Sequence, residues 1–544
     1  MNFHLPSWIK PGMVIALLAC LLIFSGLNRF DLRGSTEPRE AGVAAEMLQN
    51  NQFLLPTLNG EAFLEKPPLS YWLQAASIKI FGYEAFAPRV PSALAGIATA
   101  LLFVFFFRKS EQSDWLTLLS GILLITMGSF WEYSRTAGQD ILLAFGVSLA
   151  LLSFYFTREN GSKLLWLAYS AGIAIATLTK GVVGLAVPGV VIFVFLLVET
   201  IYFDKRLVIL NWLNPVIFTL LGLLPILGWL WALFDAQGIE SVKEIVWTNS
   251  VGRFEGSYTS GAHAEPFYYY LKKLPETFQP WSLLFYIAIW QSARFLGTSR
   301  RMVFFFCWLA VPFILLSISA GKRPSYLLML YPAAAAFLAH YIVSFAQQAS
   351  ATGCGESIKS AKWLVVIQAV FFSAGVLFTI FRLVQVHVPV IAGVTLLLAI
   401  PALFVMWRSV SQLRIFSFVA SSVGILIITY IAYFSFVVPH DDERESAKLV
   451  IERLAYFSAA GRPLALYQPT ERIKGATSFY LQRRLPTISS MGELQKILAE
   501  KPDTVVLIEE SSQLDFAHFK DEGQVNYGKT HYHYLTRKQS GVER

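Results

Sequence analysis

The chain has 544 residues, of which 55% are hydrophobic and 15% charged, with a formal net charge of +8. That balance is far too apolar for an ordinary soluble protein and indicates an integral membrane protein. The Lys and Arg residues sit in short loops between apolar runs, so the positive charge orients the chain in a membrane and implies no nucleic-acid partner.

Taken in chain order with about 20 residues per crossing, apolar runs place spans near 12 to 28, 86 to 107, 113 to 131, 139 to 157, 162 to 178, 181 to 199 and 207 to 233. Others fall near 281 to 298, 302 to 319, 326 to 346, 361 to 382, 386 to 407 and 412 to 438, which makes thirteen. The run that includes Leu17-Leu18-Ala19-Cys20 continues to Phe24, as an uncleaved first span would. Cys20, Cys307 and Cys354 are too far apart to suggest a disulfide framework or a thiolate metal site.

Alternate loops carry Arg108-Lys109, Arg158 with Lys163, Lys205-Arg206, Arg294 with Arg300-Arg301, Lys359 with Lys362, and Arg408 with Arg414. By the positive-inside tendency those loops are cytoplasmic. The remaining loops, including the long segments 29 to 85 and 234 to 280, then lie outside. Within the first, Glu37 to Asn50 and Leu69 to Phe81 read as short amphipathic helices on the membrane surface. The aromatics of the second, among them Trp247, Phe254 and Phe267 through Tyr270, read as interfacial anchors.

Past Val438 the composition turns polar. Residues 443 to 458 read as a helix opened by Asp442 as N-cap, Pro463 to Tyr467 as a strand, Leu494 to Glu500 as a helix end, and Thr504 to Glu509 as a strand. The expected fold is an all-α polytopic membrane domain, 1-439, followed by a small extracytoplasmic α/β cap, 440-544.

Residues capable of chemistry gather on the outer side. Asp140, at the mouth of the fourth span with Arg135 nearby, is a carboxylate at the edge of hydrocarbon, costly unless paired or hydrated; its simplest structural role would be a helix N-cap. Glu37 and Glu40 share one helix face beside Arg39. In Glu65-Lys66-Pro67-Pro68 the prolines fix an extended backbone ahead of the second surface helix, and Lys66 suits either a phosphate or a lipid headgroup. Lys322-Arg323, with Tyr326 three residues on, and Lys180 are outer cations that depart from the orientation rule, which points to an anionic lipid group.

Together, Glu37-Pro38-Arg39, Ala45-Glu46-Met47-Leu48, Phe63-Leu64-Glu65-Lys66-Pro67-Pro68, Asp140, Thr179-Lys180-Gly181 and Gly321-Lys322-x-Pro324-Ser325-Tyr326 resemble the bacterial aminoarabinose transferases, which are themselves similar to protein O-mannosyltransferases. The likeness runs from about residue 12 to 440. It implies a C-type glycosyltransferase fold in the bacterial inner membrane, with the active site and C-terminal domain periplasmic and an undecaprenyl-phosphate-linked sugar as donor. It also implies Glu37 and Asp140 as the essential carboxylates. Lys66, Arg39, Lys180, Lys322, Arg323 and Tyr326 would be ligands of the donor's phosphate and sugar, and Glu65 with His263 would match a zinc-holding pair of a relative. Relatives often carry Asp-Glu where this chain has Thr36-Glu37, which leaves Glu40 as the acidic substitute, and no arginine closely follows His263.

The implied acceptor is lipid A, receiving 4-amino-4-deoxy-L-arabinose on a phosphate. Mannose-type transfer to protein or another glycan stays open, and a secondary transporter or flippase is the rival of a different class. A cytoplasmic sugar-nucleotide donor is not expected, because no nucleotide-binding glycine loop is present and the cytoplasmic connections are short.

Overall fold

The computed structural model describes residues 10–538 apart from 111–113, 256–264, 293–298, 353–355, 413, 443–445, 511–518 and 529. Among them, nine helices are long and apolar enough to cross a membrane, beginning with Ala87–Phe107 and ending with Ile415–Asp441. Four shorter apolar helices, Pro11–Phe24, Asp114–Thr126, Leu164–Lys180 and Ser282–Gln291, occupy the other four positions where the sequence places a span. The chain is a multi-pass membrane protein.

It divides into two compact units. One comprises Met1–Ser25, Glu65–Leu69 and Ser92–Val437; the other comprises Gly26–Leu64, Ser70–Pro91 and Val438–Arg544. One cut falls between Val437 and Val438, close to the boundary expected near residue 440, but most of the first long loop joins the C-terminal segment in the second unit.

In the first unit the antiparallel helices Asp140–Asn160 and Leu164–Lys180 pack through small residues. A Cβ at Gly146 would stand 2.8 Å from the Ala176 nitrogen, and one at Gly172 would stand 2.5 Å from the Ala150 nitrogen. Only glycine permits so close an approach, which is how membrane helices gain dispersion contact without a hydrophobic driving force. The register that results sets the first residue of one helix, Asp140, beside the last residue of the other, Lys180. At the opposite ends of this helix group, Arg158 pairs with Glu199, Arg301 with Glu159 at 2.5 Å, and Arg300 with Asp204 at 2.6 Å. At 1.5 Å per residue, the 21-residue helix Asp140–Asn160 separates these two charged layers by about 30 Å.

The second unit contains a five-stranded sheet in the order β4-β3-β5-β7-β6, formed by β3 (Leu464–Tyr467), β4 (Thr487–Ile488), β5 (Val505–Glu509), β6 (Phe519–Tyr527) and β7 (Thr530–Arg537). β3 is parallel to β4 and β5, while β7 runs antiparallel to β5 and β6. Alternate residues of β3 and β5 bury on opposite faces: Leu464, Leu466, Val505 and Leu507 meet the helix Ala447–Ala459, and Ala465, Val506 and Ile508 meet Met491–Glu500. Burial on both faces explains the continuous apolar runs that identify these strands. The hairpin β6–β7 has no such run and is missed by periodicity. Ser446, whose hydroxyl accepts from the Lys448 amide, is the N-cap of Ala447–Ala459; Asp442 instead ends the short helix Val438–Asp442.

Also in this unit, the helix Thr36–Gln49 precedes a small hairpin of β1 (Thr57–Leu58) and β2 (Glu61–Ala62), and Leu69–Phe81 follows it, beginning just before the unit does. The sequence suggests a surface helix over 37–50, but Glu37, Pro38 and Glu40 through Met47 are all buried. The cause is Gly475, whose backbone crosses so close to Gly42 that a Cβ on either glycine would collide with the other segment.

Candidate active site

Asp140 is the first residue of its helix and Lys180 the last of the next, so each helix dipole favours the charge placed on it. The Lys180 ammonium donates to Asp140 Oδ1 and stands 4.2 Å from the centre of the Tyr326 ring. Tyr326 lies in the 3-10 turn Pro324–Leu330, entered through Arg323 in extended conformation. The N-cap role available to Asp140 is not used; Gln139 precedes the helix and no side chain caps it. Arg135 does not serve Asp140 through its Nη1, which donates to the carbonyls of Leu22 and Ile23 at 2.9 Å each, while its guanidinium stacks over Trp131. It closes the C-terminal end of Pro11–Phe24, where cations are favoured.

Beside this pair is a cavity of about 310 Å³. Its polar end is formed by Glu65, Lys66, Lys180, Lys322 and Arg323, and its apolar wall includes Val183, Val187, Leu315, Leu316 and Met329. Four of the five charged side chains are cations. The cavity therefore suits an amphiphile with an anionic head and a hydrocarbon tail. Lys66 also donates to the Glu65 carbonyl at 3.0 Å, with the Glu65 carboxylate at 3.9 Å. The expected convergence of Lys66, Lys180, Lys322, Arg323 and Tyr326 is thus observed, on the same end of the helix group as Asp140.

Lys322 has a more constrained place than a simple phosphate ligand. It is 4% exposed, and its ammonium donates to the carbonyls of Ser319 and Glu265 at 2.5 and 2.7 Å. Burial lowers its pKa from the ordinary lysine value, with the Glu265 carboxylate acting in the opposite sense. It ties the second long loop to the turn after Arg300–Ile318, a tie reinforced by the Ala320 amide bonding the Phe254 carbonyl at 2.9 Å. Tyr270, expected as an interfacial anchor, is fully buried and donates its hydroxyl to the Arg323 carbonyl at 3.2 Å. Phe267 and Trp247, 74% and 62% exposed, fit the anchoring role.

In the second unit Glu37 is held in a bidentate ion pair by Arg89, with Nε–Oε1 and Nη2–Oε2 both at 2.7 Å, and also accepts from the Arg33 amide at 2.9 Å. Arg89 is fully buried; it also donates to the carbonyls of Leu27, Phe30 and Asp31 and stacks on Phe30 at 4.1 Å. Both Glu37 oxygens are thus engaged by Arg89 and the Arg33 amide. Arg39 bridges Glu40 at 3.2 Å and Glu471 at 3.0 Å, so Glu40 serves as the partner of Arg39.

The sequence reading missed Arg89, whose only signal is its position between two prolines, and Asn249, which is buried and reaches the cavity from the π-helical turn Glu244–Gly252. His263, the expected metal partner of Glu65, lies outside the described residues. Among the described residues no three His, Cys, Asp or Glu side chains converge on a metal position.

Residues 65–229 match the family described as dolichyl-phosphate-mannose-protein mannosyltransferase. The chain is 26% identical over 341 residues to the undecaprenyl phosphate-alpha-4-amino-4-deoxy-L-arabinose arabinosyl transferase 2 of Proteus mirabilis, covering 62% of this chain and 60% of that one. It is 28% identical over 378 residues to the corresponding transferase of Shewanella sediminis, covering 67% and 66%. An uncharacterised Aquifex aeolicus protein is 29% identical over 338 residues, covering 62% of this chain and 64% of its own length. The chain thus spans about three-fifths of the length of such relatives. In structure it resembles ArnT from Cupriavidus metallidurans, solved bound to undecaprenyl phosphate, with a TM-score of 0.72 at 17% identity over 97% of this chain and 98% of that one. This is the C-type glycosyltransferase architecture, and the likeness extends through the C-terminal sheet domain.

Proposed function

We propose that this chain is a membrane glycosyltransferase that moves a sugar from a polyprenyl-phosphate carrier to an envelope acceptor, most specifically 4-amino-4-deoxy-L-arabinose to a phosphate of lipid A. The observation that carries the reading is the cavity beside Asp140 and Lys180, cationic at one end and apolar along its wall. A phosphate head and an isoprenoid tail match those two surfaces. The site faces the periplasm on this reading, where no nucleotide pool exists and the lipid phase must supply the donor.

In the transfer, an acceptor oxygen attacks the anomeric carbon while the bond from that carbon to the phosphate oxygen breaks. The electron pair leaves with the polyprenyl phosphate, and Lys66, Lys180 and Arg323 stabilise the charge gathering there. An acceptor phosphate is already ionised near neutral pH and needs no general base. Asp140 then holds Lys180 in place, and Glu65, which lines the cavity, pairs with the amino group of the sugar on this reading. The matched family description also accommodates a mannosyl donor with a protein acceptor.

The test is mass spectrometry of envelope lipids from cells with and without the protein. A gain of one amino-pentose on lipid A supports the proposal; a change confined to glycoprotein or polysaccharide removes lipid A as acceptor. Sugar found across a vesicle membrane but on no acceptor would favour transport.

A further inference from the structure

We infer that Glu46 is a positioning residue, and that the C-terminal segment 471–487 works as the second jaw of a clamp on the loop leading to Lys66; this rests on the proposed function for its link to the donor. Glu46 is fully buried near the C-terminal end of Thr36–Gln49, where the helix dipole disfavours an anion. A buried carboxylate persists only when its lone pairs are met. Here four hydrogen-bond donors meet them, the Thr57 hydroxyl at 2.8 Å, the Asn59 and Gly60 amides and the Ser478 hydroxyl at 2.6 Å, and the Arg484 guanidinium forms an ion pair at 3.5 Å.

Three of those donors belong to the β1–β2 hairpin, whose tip residues Asn59 and Gly60 have φ of +53° and +86°. The fourth, Ser478, and the ion-pair partner Arg484 belong to the C-terminal segment. The same tip is fixed from its far side, since the Asn59 amide group exchanges hydrogen bonds with the Leu485 backbone at 2.9 and 3.1 Å and donates to the Thr487 hydroxyl at 2.9 Å. Lys474 joins Glu61 at 2.6 Å. Three residues separate β2 from Lys66 along the chain, and the two residues after Lys66 are prolines that restrict the backbone there. One carboxylate thus sets the loop from both sides.

The experiment uses the full-length protein in detergent or nanodiscs, as Glu46→Ala and, leaving the buried charge intact, Asn59→Ala. Hydrogen exchange at the Asn59 and Gly60 amides should quicken in Glu46→Ala. Undecaprenyl phosphate should bind either folded variant more weakly, with the KM for donor raised about tenfold to a hundredfold while turnover at saturating donor stays near native. Native donor affinity in both folded variants would overturn the inference, as would unchanged exchange in Glu46→Ala. If the native protein itself binds no undecaprenyl phosphate, the proposed function fails first and takes the link to Lys66 with it, while the exchange measurement still decides whether the clamp exists.

Discussion

The Lys180 ammonium lies between the Asp140 carboxylate and the face of the Tyr326 ring, so one cation joins the ends of two helices to the turn that begins the next group of spans. Neither helix end alone explains the pair. Gly146 and Gly172 bring the helices close enough for Asp140 and Lys180 to meet.

Asp140→Asn keeps the shape of the side chain and removes the charge that holds Lys180. Transfer should fall on the order of a hundredfold to a thousandfold, as when one pre-organised group of a charge-stabilising site is lost. Lys180→Met should weaken donor binding as well, and the double variant should be little worse than the poorer single one, because the residues act as a unit. Steady-state transfer by purified protein checks this, and native turnover by Asp140→Asn would reject the assignment.

For Glu37 and Arg89 the expected effect is on stability. Removing either partner leaves a buried charge uncompensated, at a cost of about 3–5 kcal/mol, so Glu37→Gln and Arg89→Met should each lower the apparent unfolding temperature and the yield. Replacing both together should be milder than the sum. A Glu37→Gln protein that is fully stable yet inactive would instead restore Glu37 as an acid or base.

Arg135→Ala should weaken the anchoring of Pro11–Phe24 by about 1–3 kcal/mol, the price of leaving buried carbonyls unmet. The fraction that folds should transfer sugar at the native rate. A loss of turnover with unchanged thermal stability would place Arg135 in the chemistry.

The burial of Lys322 gives a pH dependence with a definite sign. Its folded pKa lies below the unfolded value, so between the two the unfolded chain binds more protons and this group adds stability as pH rises. The native protein should therefore gain apparent stability relative to Lys322→Met as pH is raised from neutral through the lowered pKa toward the ordinary lysine range. Unfolding temperatures of the two proteins across that range supply the test; a difference that narrows or stays constant contradicts it.

Much of the site was legible because its cations are out of place. Lys180, Lys322 and Arg323 stand against the charge asymmetry that orients the chain, and all three line one cavity. The spans were legible for a similar reason, since every lipid-exposed crossing must be apolar along its length. The part taken by each charge was not. Glu37 and Asp140 look equivalent in a sequence, but one is saturated by Arg89 and the other is paired with a lysine that faces the cavity.

By itself the sequence determined the placement of the spans, two strands of the C-terminal sheet and the outer cations, because hydropathy, apolar runs and charge are local properties of the chain. Only the tertiary structure decided that most of the first loop and the C-terminal segment form one compact unit, that Arg135 and Lys322 engage backbone carbonyls, and that Glu46 accepts four hydrogen bonds and pairs with Arg484. Those outcomes depend on which distant groups satisfy a buried charge, and a carboxylate's partner more than 400 residues away leaves no trace in the pattern of its neighbours.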